Sequence, residues 1–175
     1  MIFTPLGLFG AYLLEPERIG DERGFFARTW CAREAAVLGL NTVTAQCSVS
    51  FNAKRGTLRG MHYQAPPSEE AKLVRCTAGA LYDVLLDVRP GSPTYKQWVA
   101  VELTAANHLM VYMPEGVAHG FQTLADDTEV FYQISAFYDD ASARGVRWND
   151  PAFKIEWPLG HPTISAKDSA YADFP

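Results

Sequence analysis

Eight short apolar runs, each closed off by turn chemistry, constrain this chain more than any single residue does. They occupy 42–51, 57–64, 71–77, 80–88, 97–103, 109–113, 120–124 and 128–137, and their lengths suit strands better than helices. Between them stand Asn52-Ala53-Lys54-Arg55-Gly56, Pro66-Pro67, Arg89-Pro90-Gly91-Ser92-Pro93 and Asp126-Asp127, residue types that favour tight reversals. Only 31–38 carries a helical pattern, with Glu34 and several alanines before Gly39 stops it. The chain is therefore expected to be all-β with short peripheral helices. Strands this short and numerous close into a sandwich or a jelly-roll barrel whose interior can hold a small ligand.

No tandem repeat, low-complexity stretch or linker divides the chain, so a single domain spanning 1–175 is expected. A chain of this length buries roughly 70% of its unfolded surface. The formal net charge of −5 argues against nucleic acid or an anionic membrane as partner. A few arginines could still hold a phosphorylated small molecule. No segment approaches the ~20 apolar residues of a membrane span. The opening residues lack a basic leader and are broken by Pro5 and Gly7, so a cytoplasmic location is expected. Cys31, Cys47 and Cys76 form an odd set without CxxC spacing and are read as reduced, buried packing residues. His108 and His161 lie in turn-like contexts and are read as exposed.

Strand alternation makes residue parity informative. On 128–138, Val130, Tyr132, Ile134, Ala136 and Tyr138 share a face, so two tyrosines point the same way. On 57–64, His62 shares its face with Gly60 and Gln64, and Arg59 falls opposite unless Gly60 marks a bulge. Asp83 and Asp87 share a face with Leu81 and Leu85, odd company for carboxylates unless a cation or histidine lies near. Lys72, in Ala71-Lys72-Leu73-Val74, is equally out of place in an apolar strand. Removing a carbon-bound proton beside a carbonyl needs a base, a cation or donor for the developing oxyanion, and an acid to return the proton. The chain offers one of each.

Several motifs then occur in order: Asp21-Glu22-Arg23-Gly24-Phe25-Phe26, Gly56-Thr57-Leu58-Arg59-Gly60-Met61-His62-Tyr63-Gln64, Lys72-Leu73-Val74-Arg75-Cys76 and Ser92-Pro93-Thr94-Tyr95. Pro114-Glu115-Gly116-Val117-Ala118-His119-Gly120-Phe121, Trp148-Asn149-Asp150-Pro151 and Ser165-Ala166-Lys167-Asp168 continue the series. Together they resemble the dTDP-4-dehydrorhamnose 3,5-epimerase family across nearly the whole chain. The resemblance implies a cupin-like jelly roll and a homodimer that exchanges N-terminal strands. It implies no metal or other cofactor, and epimerisation at C3, C5 or both of a nucleotide-linked 4-keto-6-deoxyhexose in deoxysugar biosynthesis.

By the same resemblance His62 is the base, oriented by Asp168, Lys72 stabilises the C4 oxyanion, and Tyr132 is the acid across the ring. Tyr138 lines the pocket, Arg23 and Arg59 match diphosphate-binding arginines, and Phe26, Gln46 and His119 are further substrate contacts. Asp83 stays open as an alternative partner for His62. Arg28 stands where many members have glutamate and Ser48 where many have asparagine, which leaves the nucleotide, the hexose and the number of inverted centres open. Two other readings keep the fold. The motif ending in His119 also matches the second metal motif of cupins, which would make a metal-dependent oxygenase or isomerase, although Lys72 would repel a cation. The third is a barrel that binds a nucleotide sugar without turning it over.

Overall fold

The computed structural model describes residues 1–174, and its regular structure is almost entirely strand. In chain order come β1 (Ile2–Pro5), β2 (Tyr12–Glu15), β3 (Arg18–Asp21), β4 (Gly24–Ala27), the helix α1 (Ala32–Val37), β5 (Gln46–Asn52) and β6 (Thr57–Gln64). They are followed by β7 (Lys72–Ala78), β8 (Ala80–Asp87), β9 (Trp98–Thr104), β10 (Met110–Met113), β11 (Val117–Thr123) and β12 (Thr128–Ile134). The chain closes with β13 (Ala143–Gly145), β14 (Thr163–Ile164) and the helix α2 (Ala166–Ser169).

The strands form two main sheets with the jelly-roll order. One runs β1-β2-β10-β7-β12-β5, and the other β13-β6-β11-β8-β9, with β14 added in parallel to β6. The hairpin β3–β4 stands apart as its own two-stranded sheet. Alternation sorts side chains cleanly. Val74, Cys76, Leu81, Leu85, Val111, Met113, Phe121 and Val130 fill the space between the sheets. On the outer faces Met61, Val84 and Leu86 pack under the C-terminal loops, and Leu73, Met110 and Tyr112 under the N-terminal ones. Burial on both faces makes the central strands unforgiving: truncating fully buried Leu85 to alanine costs about 3 kcal/mol.

All eight expected strands form, with shifted ends. The first starts only at Gln46, and the last stops at Ile134 because its partners run out, so Tyr138 is delivered by a loop and not by strand parity. The four short N-terminal strands, β13 and β14 carry too few residues to show a period. Cys47 is exposed, contrary to its reading as a buried packing residue, while Cys76 is buried and burial pushes its thiol up to about 11. His108 is partly covered by an edge contact with Phe25, while His161 is exposed. Asp87 has no histidine partner. Fully buried, it accepts from Arg89 Nε (2.9 Å), Ser92 Oγ (2.5 Å) and Thr94 Oγ1 (2.6 Å). No helix among the described residues is long and apolar enough to cross a membrane.

Candidate active site

The bulge anticipated at Gly60 decides what faces the interior. On β11, His119 pairs with His62 and Phe121 with Arg59, so Gly60 and Met61 together oppose Gly120 alone. The extra residue reverses parity, bringing Arg59 and His62 to the same cavity while Met61 turns outward. Only glycine fits there: φ is +138°, and a Cβ would lie 2.5 Å from the Gly120 Cα.

The cavity measures about 810 Å³ and lies between the two sheets. From one sheet it receives His62 and Arg59 of β6 and His119 of β11; from the other, Tyr132 of β12, Lys72 of β7, and Gln46 and Ser48 of β5. The imidazole of His62 and the phenol of Tyr132 thus approach from opposite walls. A neighbouring cavity of about 1000 Å³ contains none of these groups, although Tyr63, Gln64, Arg144 and Tyr171 border both.

His62 Nε2 lies 2.7 Å from Asp168 Oδ1. A carboxylate can only accept, so Nε2 carries the proton and Nδ1 is left free to take one. Asp168 is held in turn. Its N–H donates to Ser165 Oγ at the start of α2 (3.0 Å), and its Oδ2 accepts from Gly60 N–H (3.3 Å). Burial by itself would raise the Asp168 carboxyl, but the bonds from His62, Gly60 and Ser165 outweigh it and hold it below its usual range. Asp83 is not the partner of His62. It lies one strand further on, at β8, and accepts from His119 Nε2 at 2.6 Å. Asp83 Oδ2 has no hydrogen-bond partner among the described residues.

Tyr132 packs edge-on against His119, with ring centroids 6.0 Å apart. Burial raises its phenol far above the usual value and the charge of Asp83 adds to this, with Arg59 opposing, so it remains a neutral donor. Lys72, buried, pairs with Glu70 at 2.7 Å. Arg59 is steadied by Asn52, its Nε donating to Oδ1 at 2.8 Å. Tyr138 lines the rim with its hydroxyl on Asp140 Oδ1 (2.9 Å). Arg23 and Phe26 are not brought to this cavity. They lie on the β3–β4 hairpin, Arg23 paired with Asp21 and Phe26 74% exposed. Arg28 pairs with Glu34 at 2.8 Å.

Sequence reasoning missed Glu70, Tyr171, Arg144 and Lys167 in the lining. Two of them left a signal. Glu70 is two residues before Lys72, the spacing that shares a face in extended chain, and Tyr171 follows Asp168 by three, nearly one helical turn. Tyr171 leans edge-on against His62 (6.2 Å) and lies over Gly145, where a Cβ would come within 2.0 Å of the ring. Among the described residues, no three His, Cys, Asp or Glu side chains converge to hold a metal, and the motif histidine His119 is committed to Asp83.

The model of the dTDP-4-dehydrorhamnose 3,5-epimerase family matches residues 5–175. The enzyme of that name from Sinorhizobium fredii is 42% identical over 97% of this chain and 88% of its own. A dTDP-4-dehydrorhamnose 3-epimerase from Streptomyces niveus is 38% identical over 96% of this chain and 81% of its own. The crystal structure of the 3,5-epimerase from Bacillus anthracis, with TDP and PPi bound, superposes with a TM-score of 0.94 at 39% identity, covering 99% of each chain.

Proposed function

We propose, for a chain that belongs to the dTDP-4-dehydrorhamnose 3,5-epimerase family, that it inverts C3, C5 or both of a nucleotide-linked 4-keto-6-deoxyhexose. One observation carries this reading: an oriented imidazole and a neutral phenol face one cavity from opposite sheets, with an ammonium on the phenol's sheet. The ketone acidifies the adjacent C–H bonds. His62 Nδ1 takes the proton from carbon, the C–H electron pair moves into the enolate, and Lys72 holds the oxyanion on O4. Tyr132 then gives its proton to the same carbon from the opposite face, and solvent takes the proton from His62 and returns one to the phenolate. Inversion follows from the opposed positions of the two groups.

The remaining contacts follow from charge and reach. Arg59 faces the diphosphate, with Gln46 and Ser48 alongside it on β5, His119 and Tyr138 touch the sugar, and no metal or other cofactor takes part. Arg23 and Phe26 act across a homodimer: the hairpin that carries them exposes Ile19 (73%) and Phe26 (74%), apolar surface suited to reach a second copy's cavity. The enzyme works as a single cytoplasmic domain in deoxysugar biosynthesis.

Incubating the protein in deuterium oxide with thymidine-, cytidine-, guanosine- and uridine-linked 4-keto sugars tests the assignment. Label should enter C3, C5 or both for at least one of them. Binding without any incorporation would make the protein a carrier and not an enzyme. Tyr132→Phe should retain exchange at the abstracted position while losing inversion by roughly a hundredfold or more.

A further inference from the structure

Lys72 meets a carboxylate inside the cavity that the epimerase chemistry above does not use. Its Nζ lies 2.7 Å from Glu70 Oε1, the two side chains are only 9% and 10% exposed, and both line the cavity with His62 and Tyr132. Asp168, also in the lining, is committed to His62, and Asp83, behind the cavity, to His119. The segment presenting Glu70 is anchored on both sides. Gln64 Nε2 donates to Ser68 O (2.8 Å), Ser68 Oγ to Asp139 Oδ2 (2.8 Å), and Ala71 N–H to Ser135 Oγ (2.8 Å). Glu70 is therefore a fixed acceptor, and Lys72 rests on it.

An ammonium on a four-carbon stem has three equivalent donors and no direction of its own. One N–H on Glu70 fixes the nitrogen and leaves two for the cavity. The charge matters as much as the aim. A nucleotide sugar carries a diphosphate, a far stronger anion than a ketone, and an unpaired ammonium in the cavity would be drawn to it. Paired with Glu70, Lys72 is nearly neutral at a distance and still a donor at contact. We propose that Glu70 is a positioning residue: it aims Lys72 at the ketone oxygen and leaves the diphosphate to the arginines. This rests on the epimerase reading and extends it.

The test uses wild type, Glu70→Gln, Lys72→Met and the double variant, assayed on whichever keto sugar the wild type turns over, with thermal melts to confirm folding. Glu70→Gln should lower kcat roughly tenfold or more while KM stays within about twofold, because the aim of Lys72 matters most when charge develops on oxygen. Inorganic pyrophosphate should inhibit Glu70→Gln more strongly than wild type. In the Lys72→Met background the Glu70 substitution should change kcat no further. That comparison stands even where Glu70→Gln alone folds poorly, since neither Lys72→Met nor the double variant buries an ammonium without its counter-charge. A folded Glu70→Gln with unaltered kcat, or a further loss in the Lys72→Met background, would overturn the proposal. Wild type inert on every keto sugar would overturn the epimerase reading and this proposal with it.

Discussion

Two histidine–carboxylate pairs lie side by side on β6 and β11 and share bond geometry but little else. His62 and His119 are cross-strand partners, each holding a carboxylate through Nε2, at 2.7 and 2.6 Å. The His62 side chain is 43% exposed, that of His119 5%. Asp168 comes from α2, 106 residues away in sequence, whereas Asp83 comes from the adjoining strand. An identical bond therefore serves two ends. The open pair can trade a proton with a ligand; the closed pair holds a fixed dipole beneath Tyr132 and fills what would otherwise be a costly polar hole in the core.

The most severe way to break the comparison is His62→Ala. It should reduce deuterium exchange about a thousandfold or more with little change in Tm, and full turnover in this variant would remove the base assignment. His119→Leu should behave in the opposite sense. Stripping Asp83 of its partner leaves a buried charge and costs about 3 kcal/mol, seen as a fall of roughly 10 °C in Tm, while exchange at His62 stays measurable. If exchange vanished and Tm held, the two pairs would have exchanged roles.

Asp87 sharpens the comparison as a buried carboxylate with no histidine. Burial pushes its pKa up, but the bonds from Arg89, Ser92 and Thr94 prevail and bring it from 3.8 down to about 2. The unfolded chain binds that proton more readily than the folded one. Its stabilisation, about 2 kcal/mol, is thus fully present above pH ~4 and drains away as pH falls towards 2. Acid titration of unfolding should show this loss in wild type and a flatter profile in Asp87→Asn. The smallest effect is expected from Gly145→Ala. The added methyl collides with the Tyr171 ring and displaces it from His62, lowering kcat by less than tenfold without loss of fold. Unchanged kinetics would show that Tyr171 does not steady the base.

Much of the fold was legible because strand residues declare themselves locally. The runs around β6, β7, β8 and β12 alternate or stay apolar, and glycines and prolines punctuate them. The hairpin β3–β4 was not legible: four residues a side, without a buried face, carry no period. The site divides the same way. His62, Lys72 and Tyr132 stand out as polar groups on apolar strands, and Gly60 advertised the bulge that turns Arg59 inward. The two aspartates could not be assigned from spacing, since Asp83 and Asp168 are both reasonable partners for His62 until the strands are laid in order. Arg23 and Phe26 matched a motif, yet within one chain the hairpin carries them away from the cavity.

The sequence by itself determined that the central runs form strands, which face most of their residues present, and that Asp83, Asp87 and Lys72 sit among apolar neighbours, because side-chain alternation and turn preference act over a few residues. Tertiary structure alone decided which carboxylate meets which histidine, that Glu70 rests on Lys72, and that His62 and Tyr132 confront each other. Those relations depend on sheet order and register, which are settled only when distant segments close around one core.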